Sequence, residues 1–204
     1  MRIGFSLSSE IGIMLSATRE MERRYPGIEI SISEDKNSVF EHKLIRGELD
    51  FALVIDTIHN PQIARRTLCD KKFCWVCGKN HNLASKKQVS MDMLMSEKIA
   101  LPYFSSSDSN EINFGLIKKA LDLKTTWLTT NAFTALDAVL TSGYISLLPI
   151  RIVKTYIESG ELIPIATDAP FTPRISAIYF NGKKLSPAMK EFIEIFTKLF
   201  RENE

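Results

Sequence analysis

The sequence lacks the apolar segments that would place the protein in a membrane. No apolar run in its 204 residues approaches the roughly 18 residues of a membrane span. The chain begins Met1-Arg-Ile-Gly-Phe-Ser6, which enters a predicted strand and has neither the apolar core nor the cleavage site of a signal peptide. We therefore expect no membrane association and a cytoplasmic location, provided that no targeting segment precedes Met1.

Charge of one sign is not in excess either. Lys and Arg total 26 and Asp and Glu total 24, so the formal net charge is +2. The lysine pairs Lys86-Lys87 and Lys183-Lys184 are isolated, and we interpret them as solvated surface lysines rather than a phosphate-binding stripe. The chain by itself is not predicted to bind nucleic acid. Its composition, 45% hydrophobic and 25% charged, is ordinary for a globular protein and permits one large domain or two small ones.

Cysteine is scarce, and the three cysteines, Cys69, Cys74 and Cys77, do not form a disulfide framework. Cys74-Trp-Val-Cys77 has redox spacing, but a redox CxxC opens a helix whose N-terminus lowers the thiol pKa. Here the surrounding residues read as a strand, in which positions i and i+3 point to opposite faces. No second CxxC or HxxxH accompanies the pair. We predict no disulfide, no metal and no cofactor.

Catalytic patterns are also missing. The three histidines, His42, His59 and His81, lie in different predicted elements, and none stands near a nucleophile or carboxylate at a plausible spacing. The sequence contains no Gly-rich phosphate loop and no GxSxG. Asp56 follows an apolar strand, and we interpret it as a turn residue rather than a functional acid. The chain is not predicted to be an enzyme.

What the sequence does contain is a pair of tight helix-to-strand joints. In the first, Gly47 ends a predicted helix and residues 50–55 follow as an apolar strand. In the second, Gly143 precedes the apolar residues 144–148. Strands that are apolar at successive positions are typical of a parallel sheet covered on both faces. Two such joints predict two α/β lobes, and because ligands bind outside the carboxyl ends of such strands, they also predict a ligand cleft.

The periodicity of the chain predicts a β-α-β-α-β series followed by two strands, and then a second α/β series. A final helix begins after Ser186-Pro187, because proline is tolerated in the first helical turn. Its apolar face is interpreted as core packing. The predicted helices are residues 10–25, 38–46, 90–95, 111–121, 133–141, 151–158 and the segment that follows Ser186.

Six short motifs, each weak alone, occur in an order that is similar to one protein family. In chain order they are Ile3-Gly4, Arg23-Arg-Tyr-Pro-Gly-Ile-Glu-Ile30, Gly47-Glu-Leu-Asp-Phe-Ala-Leu53, His81-Asn-Leu-Ala84, Gly143-Tyr-Ile-Ser-Leu-Leu-Pro149 and Leu185-Ser-Pro-Ala188. On these motifs, spread along essentially the whole chain, the sequence resembles the effector-binding domain of LysR-type transcriptional regulators. It departs from the family at Asn82, where the family's element has proline.

The resemblance implies an α/β fold that is type 2 periplasmic-binding-protein-like, with two α/β lobes and a cleft between them. Lobe one is expected to comprise residues 1–76 and 176–204 and lobe two residues 80–173, with hinge strands near 77–79 and 173–176. A small-molecule effector is expected in the cleft, where it biases the arrangement of homodimers or tetramers. The family's winged helix-turn-helix does not precede Met1. We therefore expect a truncated or stand-alone domain. We expect contact with DNA only through a winged helix-turn-helix that is missing here.

Loops after parallel strands lead into helix N-termini, whose free N–H groups bind anions or carbonyl oxygens. Three such places fall at the predicted cleft, namely residues 6–10, 105–109 and 130–134. In the family, hydroxyl-bearing residues at the first and third places often contact the effector. The resemblance therefore implies effector contacts from Ser6, Ser8, Ser9, Asn131 and Thr134, and more weakly from Ser105 and Ser106. Taken alone, these residues also fit plain helix caps.

Three further side chains near these places are open to two interpretations. Glu10 would disfavour an anionic effector and favour an amine if it faced the cleft, and would carry no meaning if it faced solvent. Phe104 and Phe133 would supply an apolar wall, although core packing is the expected role for both.

Two other functions share this architecture. A solute-binding protein of a transporter needs export, and an enzyme such as a prephenate-dehydratase-like domain needs a convergent acid or hydroxyl. A helix-turn-helix encoded upstream would favour the regulator over both.

Overall fold

The computed structural model describes residues 1–35, 37–55, 60–102, 127–129, 131–167 and 171–203. The chain divides into two compact units. Unit 1 contains the described residues of Met1–Asp70 and Pro173–Glu204, and unit 2 contains those of Lys71–Phe104 and Asn110–Thr172. The predicted helix 111–121 lies outside the described residues, as do Ser105, Ser106 and Asp56.

Unit 1 contains a five-stranded sheet in the order β2-β1-β3-β10-β4. Strand β1 runs parallel to both β2 and β3, whereas β10 is antiparallel to β3 and β4. Its strands are β1 (Arg2–Phe5), β2 (Ser31–Glu34), β3 (Phe51–Ile55), β4 (Ile63–Asp70) and β10 (Arg174–Phe180), and its helices are α1 (Ile11–Arg24), α2 (Asn37–Ile45) and α6 (Pro187–Glu202).

Unit 2 repeats this arrangement of strands. In it, β8, β5 and β9 pair antiparallel, β6 pairs parallel with β7, and a parallel bridge joins Ile99 to Ile145 just before β6 and β8. Its strands are β5 (Phe73–Gly78), β6 (Ala100–Pro102), β7 (Trp127–Thr129), β8 (Ser146–Pro149) and β9 (Leu162–Ile165), and its helices are α3 (Met91–Met95), α4 (Ala132–Ser142) and α5 (Ile150–Glu158).

The two helix-to-strand joints are present as predicted. Gly47 has a φ of 68° and Gly143 a φ of 68°, a left-handed conformation that ends each helix at little steric cost. After Gly47, the Glu48 N–H donates to the Lys43 carbonyl at 2.8 Å, and all five residues of β3 are buried. The prediction that this strand is covered on both faces is confirmed.

The core of unit 1 is built on the two faces of β3. Phe40 and Leu44 of α2 pack with Ala52 and Val54 on one face. On the other face, Phe51 meets Phe192 of α6 with ring centroids 5.8 Å apart. The predicted capping of α6 is also confirmed, because the Ser186 hydroxyl accepts the Met189 N–H.

The beginning of β3 is held by one carboxylate. Asp50 accepts hydrogen bonds from the Arg2 backbone N–H at 2.7 Å, from the Lys183 ammonium at 2.7 Å and from the Arg2 guanidinium at 3.1 Å. Burial raises the pKa of Asp50, but the hydrogen bonds from Lys183 and Arg2 outweigh it and hold this pKa well below its usual range. Lys183 is therefore not the solvated surface lysine that the sequence predicts.

Some boundaries differ from the prediction. Strand β1 ends at Phe5 rather than at Ser8, because a short 3-10 turn, Ser8–Glu10, precedes α1. Residues 71–76, placed in lobe one by the sequence, belong to unit 2, because β5 pairs along its length with β8 and β9.

The Asp50 anchor generates a pH-dependent prediction. Because the folded-state pKa of Asp50 lies below its unfolded value of about 3.9, its stabilisation is complete above that value and is lost as the pH falls towards the folded pKa. Asp50→Asn should lower the free energy of unfolding at pH 7 by about 2 kcal/mol, and by much less near pH 2. Denaturant unfolding at both pH values measures this difference.

Glu202→Gln is the matched control. The Glu202 Oε1 lies 3.8 Å from the Lys198 Nζ, and the Glu202 side chain is 53% exposed. Its effect should stay within about 0.5 kcal/mol. An equal cost of Asp50→Asn at both pH values would contradict the prediction.

Candidate functional site

The first predicted contact loop follows β1 in unit 1. The Ser6 N–H donates to the Leu53 carbonyl at 3.1 Å, which keeps this residue beside the end of β3. Ser6, Ser8 and Ser9 are all half-buried. No side chain caps either the 3-10 turn or α1, so the interpretation of these serines as helix caps is wrong.

Glu10 ends this loop and is only 1% exposed, so it does not face solvent. Its Oε1 accepts a hydrogen bond from the Ser9 hydroxyl at 3.2 Å. A carboxylate therefore lies buried within the same segment as the three serines. The sequence alone leaves open whether Glu10 faces solvent, because burial is a tertiary property.

The second predicted contact place is the beginning of α4 in unit 2. Asn131 is a true N-cap, because its Oδ1 accepts the Phe133 N–H at 2.8 Å. Its own N–H donates to the Thr129 hydroxyl at 3.2 Å. Thr134 and the Asn131 side chain are exposed. Phe133 is 48% exposed, so its expected role in core packing is wrong.

The structure thus groups the predicted residues into two local sets. Ser6, Ser8 and Ser9 share one loop of unit 1, and Asn131 and Thr134 share one helix start of unit 2. Ser105, Ser106 and Phe104 lie outside the described residues.

Two further polar side chains, Asn37 and Lys71, make contacts within their own units. The Asn37 amide, at the first residue of α2, donates to the Ile55 carbonyl at 2.9 Å and ties that helix to the end of β3. Lys71 is 3% exposed, and its ammonium lies 5.8 Å from the Phe73 ring centroid. Sequence reasoning missed Lys71, because a lysine beside a second lysine is typical of a surface and gives no signal of burial.

The cysteine pair behaves as its strand position predicts. Cys74 packs against the cluster that contains Val76 and Leu148, whereas the Cys77 thiol lies 3.8 Å from the Ile163 carbonyl. Burial raises the pKa of Cys74 to about 11, and burial together with the nearby Glu97 carboxylate raises the pKa of Cys77 to about 11. Both thiols are protonated at neutral pH, which disfavours redox chemistry and metal binding.

Two further properties concern the described ranges of the chain. These residues contain no cluster of three His, Cys, Asp or Glu side chains that would hold a metal ion. Within the same ranges, no helix is both long and apolar enough to cross a membrane.

Comparison with known protein families decides the identity of this fold. The family model described as the LysR substrate binding domain matches residues 1–201. The chain is a LysR substrate-binding domain. It is thus an effector-binding domain of the kind found in LysR-type transcriptional regulators, as its six motifs indicated.

Relatives of this LysR domain are transcriptional regulators. The Hca operon transcriptional activator HcaR of Escherichia coli K12 is 23% identical over 197 residues, which is 95% of this chain and 65% of HcaR. The regulator ShiR of Corynebacterium glutamicum is 30% identical over 121 residues, or 58% of this chain and 41% of ShiR. The chain therefore spans less than two thirds of the length of these relatives.

Solved structures show the same fold. The regulatory domain of MetR, a LysR family regulator from N. meningitidis, superposes with a TM-score of 0.82 at 16% identity, covering 100% of this chain and 94% of that one. The effector-binding domain of BenM with its effector benzoate superposes with a TM-score of 0.75 at 21% identity, covering 99% and 92%. The predicted two-lobe, periplasmic-binding-protein-like class is confirmed.

The state of the cysteines is open to direct measurement. In a Cys69→Ala background, Cys74 and Cys77 should react with iodoacetamide at pH 7 about 100-fold more slowly than in the unfolded chain, because a pKa raised to about 11 depletes the thiolate. Mass spectrometry of the alkylated protein provides the rates. Formation of a Cys74–Cys77 disulfide after mild oxidation of the folded protein would show that the strand assignment is wrong.

Proposed function

We propose that this LysR domain binds a small-molecule effector through the loop that holds Ser6, Ser8 and Ser9 and through the α4 start that holds Asn131 and Thr134. The observation that best supports this is the serine loop. It gathers three half-buried serines after the parallel strand β1, and none of them serves as a helix cap. Ser105 and Ser106 remain part of the proposal through the resemblance alone.

The chemistry of these two places suits a ligand with hydrogen-bond acceptors. Both follow strands that have a parallel neighbour, β1 in unit 1 and β7 in unit 2, and ligands of open α/β sheets bind at such carboxyl ends. Hydroxyl donors and the first N–H groups of a helix bind carbonyl oxygens, and the buried Glu10 carboxylate beside the serines disfavours an anionic group at that loop. Binding of this kind needs no catalytic group, metal or cofactor, and we propose that the domain is not an enzyme.

The lobes of this proposal correspond to the two units. The first crossing between them then lies at the junction of Asp70 and Lys71 rather than at residues 77–79, because β5 pairs with β8 and β9. The second crossing stays near Pro173, where the chain enters unit 1 again.

Regulation follows if the effector binds one oligomer arrangement better than another. We propose that the domain does this within a longer, cytoplasmic regulator that contacts DNA through a separate helix-turn-helix. The names of the relatives support this, since ShiR is described as an HTH-type transcriptional regulator and HcaR as a transcriptional activator. They favour a regulator over a solute-binding protein or an enzyme of the same architecture.

A thermal-shift screen of small metabolites tests the proposed site. A ligand present at about 100 times its Kd should stabilise the domain by about 2.7 kcal/mol and raise its Tm. Ser8→Ala and Thr134→Ala should each weaken the binding of that ligand by about tenfold and so reduce the shift. Isothermal titration with the ligand found in the screen confirms the change in Kd.

Ser16→Ala is the matched control, because the Ser16 hydroxyl donates to the Gly12 carbonyl within α1 and the residue is exposed. This variant should leave the ligand-induced shift unchanged. If Ser8→Ala and Thr134→Ala also leave it unchanged, the two loops do not form the effector site.

We also propose that α1 and the strand that follows it contact a second copy of the chain. Ile11 and Leu15 lie one turn apart on α1 and are 38% and 48% exposed. On unit 2, Trp127 of β7 is 46% exposed and offers a second apolar surface. Apolar side chains exposed in this way favour burial against a partner.

Leu15→Glu should convert the dimer to a monomer, because it would bury an unpaired charge in the contact. Light scattering over a range of protein concentrations measures the mass. Thr155→Glu, at an exposed position of α5, introduces the same single negative charge elsewhere and should leave the mass unchanged. A native chain that stays monomeric at high concentration would refute this contact.

A further inference from the structure

A groove within unit 1 lies between the edge strand β4 and the last turns of α6. Strand β4 ends the sheet order β2-β1-β3-β10-β4, so among the described strands it pairs with β10 alone. The groove has a volume of about 470 Å³, which is within the range of small-molecule sites. Its lining includes three cations, Arg66 of β4 and Lys198 and Arg201 of α6, and two carboxylates, Glu194 and Glu202.

One of these cations, Arg201, is held in place by an irregularity of β4. The register with β10 shifts at Leu68, which becomes an extra residue between Thr67 and Cys69. The Leu68 carbonyl accepts a hydrogen bond from the Arg201 guanidinium at 2.9 Å. Because a guanidinium has five N–H donors, this bond fixes the group beside the groove and leaves further donors for a ligand.

The other two cations are held only weakly. The Arg66 guanidinium lies 3.9 Å from Glu194 Oε1 and the Lys198 ammonium lies 3.8 Å from Glu202 Oε1, and both distances exceed those of a hydrogen bond. The Glu194 and Glu202 side chains are 65% and 53% exposed. Exposed ion pairs of this kind contribute little stability, so an anion that binds the cations more strongly displaces these carboxylates at small cost.

The charges of the lining decide which class of anion suits the groove. A single carboxylate would only take the place of Glu194 or Glu202, with no gain in charge. A phosphate group carries between one and a half and two negative charges at neutral pH and has three acceptor oxygens, so it engages two cations at once. The groove is larger than a phosphate group and therefore has room for an organic part as well.

We propose that this groove is a second ligand site of the domain, which binds a small molecule that carries a phosphate monoester. Arg66 and Arg201 hold the phosphate oxygens through their guanidinium groups, and Lys198 supplies the third positive charge. The site does not depend on the serine loop, which follows β1. Strands β3 and β10 separate β1 from β4, and three strand spacings amount to about 14 Å.

Inorganic phosphate, glycerol 3-phosphate and acetate serve as probes at equal ionic strength, because the first two are close to dianions at about pH 7.5 and acetate carries one charge. Chemical-shift titration of the native chain gives each Kd, and the amide signals of Thr67, Leu68 and Arg201 locate the binding. Both phosphates should bind at least about tenfold more tightly than acetate. Glycerol 3-phosphate should bind at least as tightly as inorganic phosphate, and the reverse order would refute a monoester ligand.

Two variants should shift the Kd for glycerol 3-phosphate in opposite directions. Arg66→Gln should weaken binding at least about fivefold, because it removes a charged donor. Glu194→Gln should tighten binding about threefold, because it removes the carboxylate that competes for Arg66. A purely structural role of these residues would give neither change. Both side chains are well exposed, so each variant should keep a native Tm to within a few degrees.

Arg65→Gln is the matched control. It removes the same charge from the neighbouring residue of β4, whose side chain points to the opposite face of the strand and does not line the groove. This variant should change the Kd for glycerol 3-phosphate by less than about twofold, as expected of a charge that acts only through screened solvent.

Three results would overturn the proposal. If Arg65→Gln weakens binding as much as Arg66→Gln, the surface attracts phosphate through its general charge and holds an adventitious ion only. If acetate binds as tightly as the phosphates, the ligand class is wrong. If no probe binds, or the shifted amides lie away from Thr67, Leu68 and Arg201, the groove is not a ligand site. None of these results bears on the effector contacts proposed above.

Discussion

Burial of β3 on both faces is the constraint on which unit 1 depends. A strand covered on two sides has no freedom to slide, because a shift of one residue would move Ala52 and Val54 out of the α2 face and Phe51 out of the α6 face. The same burial forces β1 close to α2. A Cβ added at Gly4 would lie 2.8 Å from the Ala52 Cβ, so glycine at this position follows from packing. Asp50, which bonds Arg2 and Lys183, fixes where β3 begins.

The position of the serine loop is a consequence of that register. Since β1 and β3 run parallel, their carboxyl ends meet at one edge of the sheet, and the Ser6 N–H bonds the Leu53 carbonyl there. Asn37 bonds the Ile55 carbonyl at the same strand end. The core therefore fixes where Ser6 and Asn37 lie at this edge of the sheet.

The scaffold could largely be predicted from the sequence. The α1, α2, α4, α5 and α6 helices and the joint at Gly47 follow from local periodicity and from glycine and proline chemistry, which short-range sequence patterns encode. The strand ends were less predictable, as at β1 and at β5, because pairing partners far along the chain decide them. Burial of Glu10 and Lys71 and the ion pair of Lys183 were not predictable at all. Each depends on residues brought together only by the tertiary fold.

The same difference between local patterns and tertiary contacts explains why the residues that indicate the family are not the residues that would indicate the ligand. The motif residues, such as Gly47, Leu49 and Asp50, are engaged in turns, core packing and anchoring, so they report the fold and carry no information about a ligand. Information about a ligand lies in side chains that the fold positions but does not use. Phe133 is exposed, and the helix that carries it is anchored by the buried residues Ala135 and Leu136. From sequence alone a phenylalanine is predicted to lie in the core, since most phenylalanines are buried. The exposure of Phe133 beside the Asn131 cap is set by the tertiary fold, so no local pattern of the sequence predicts it.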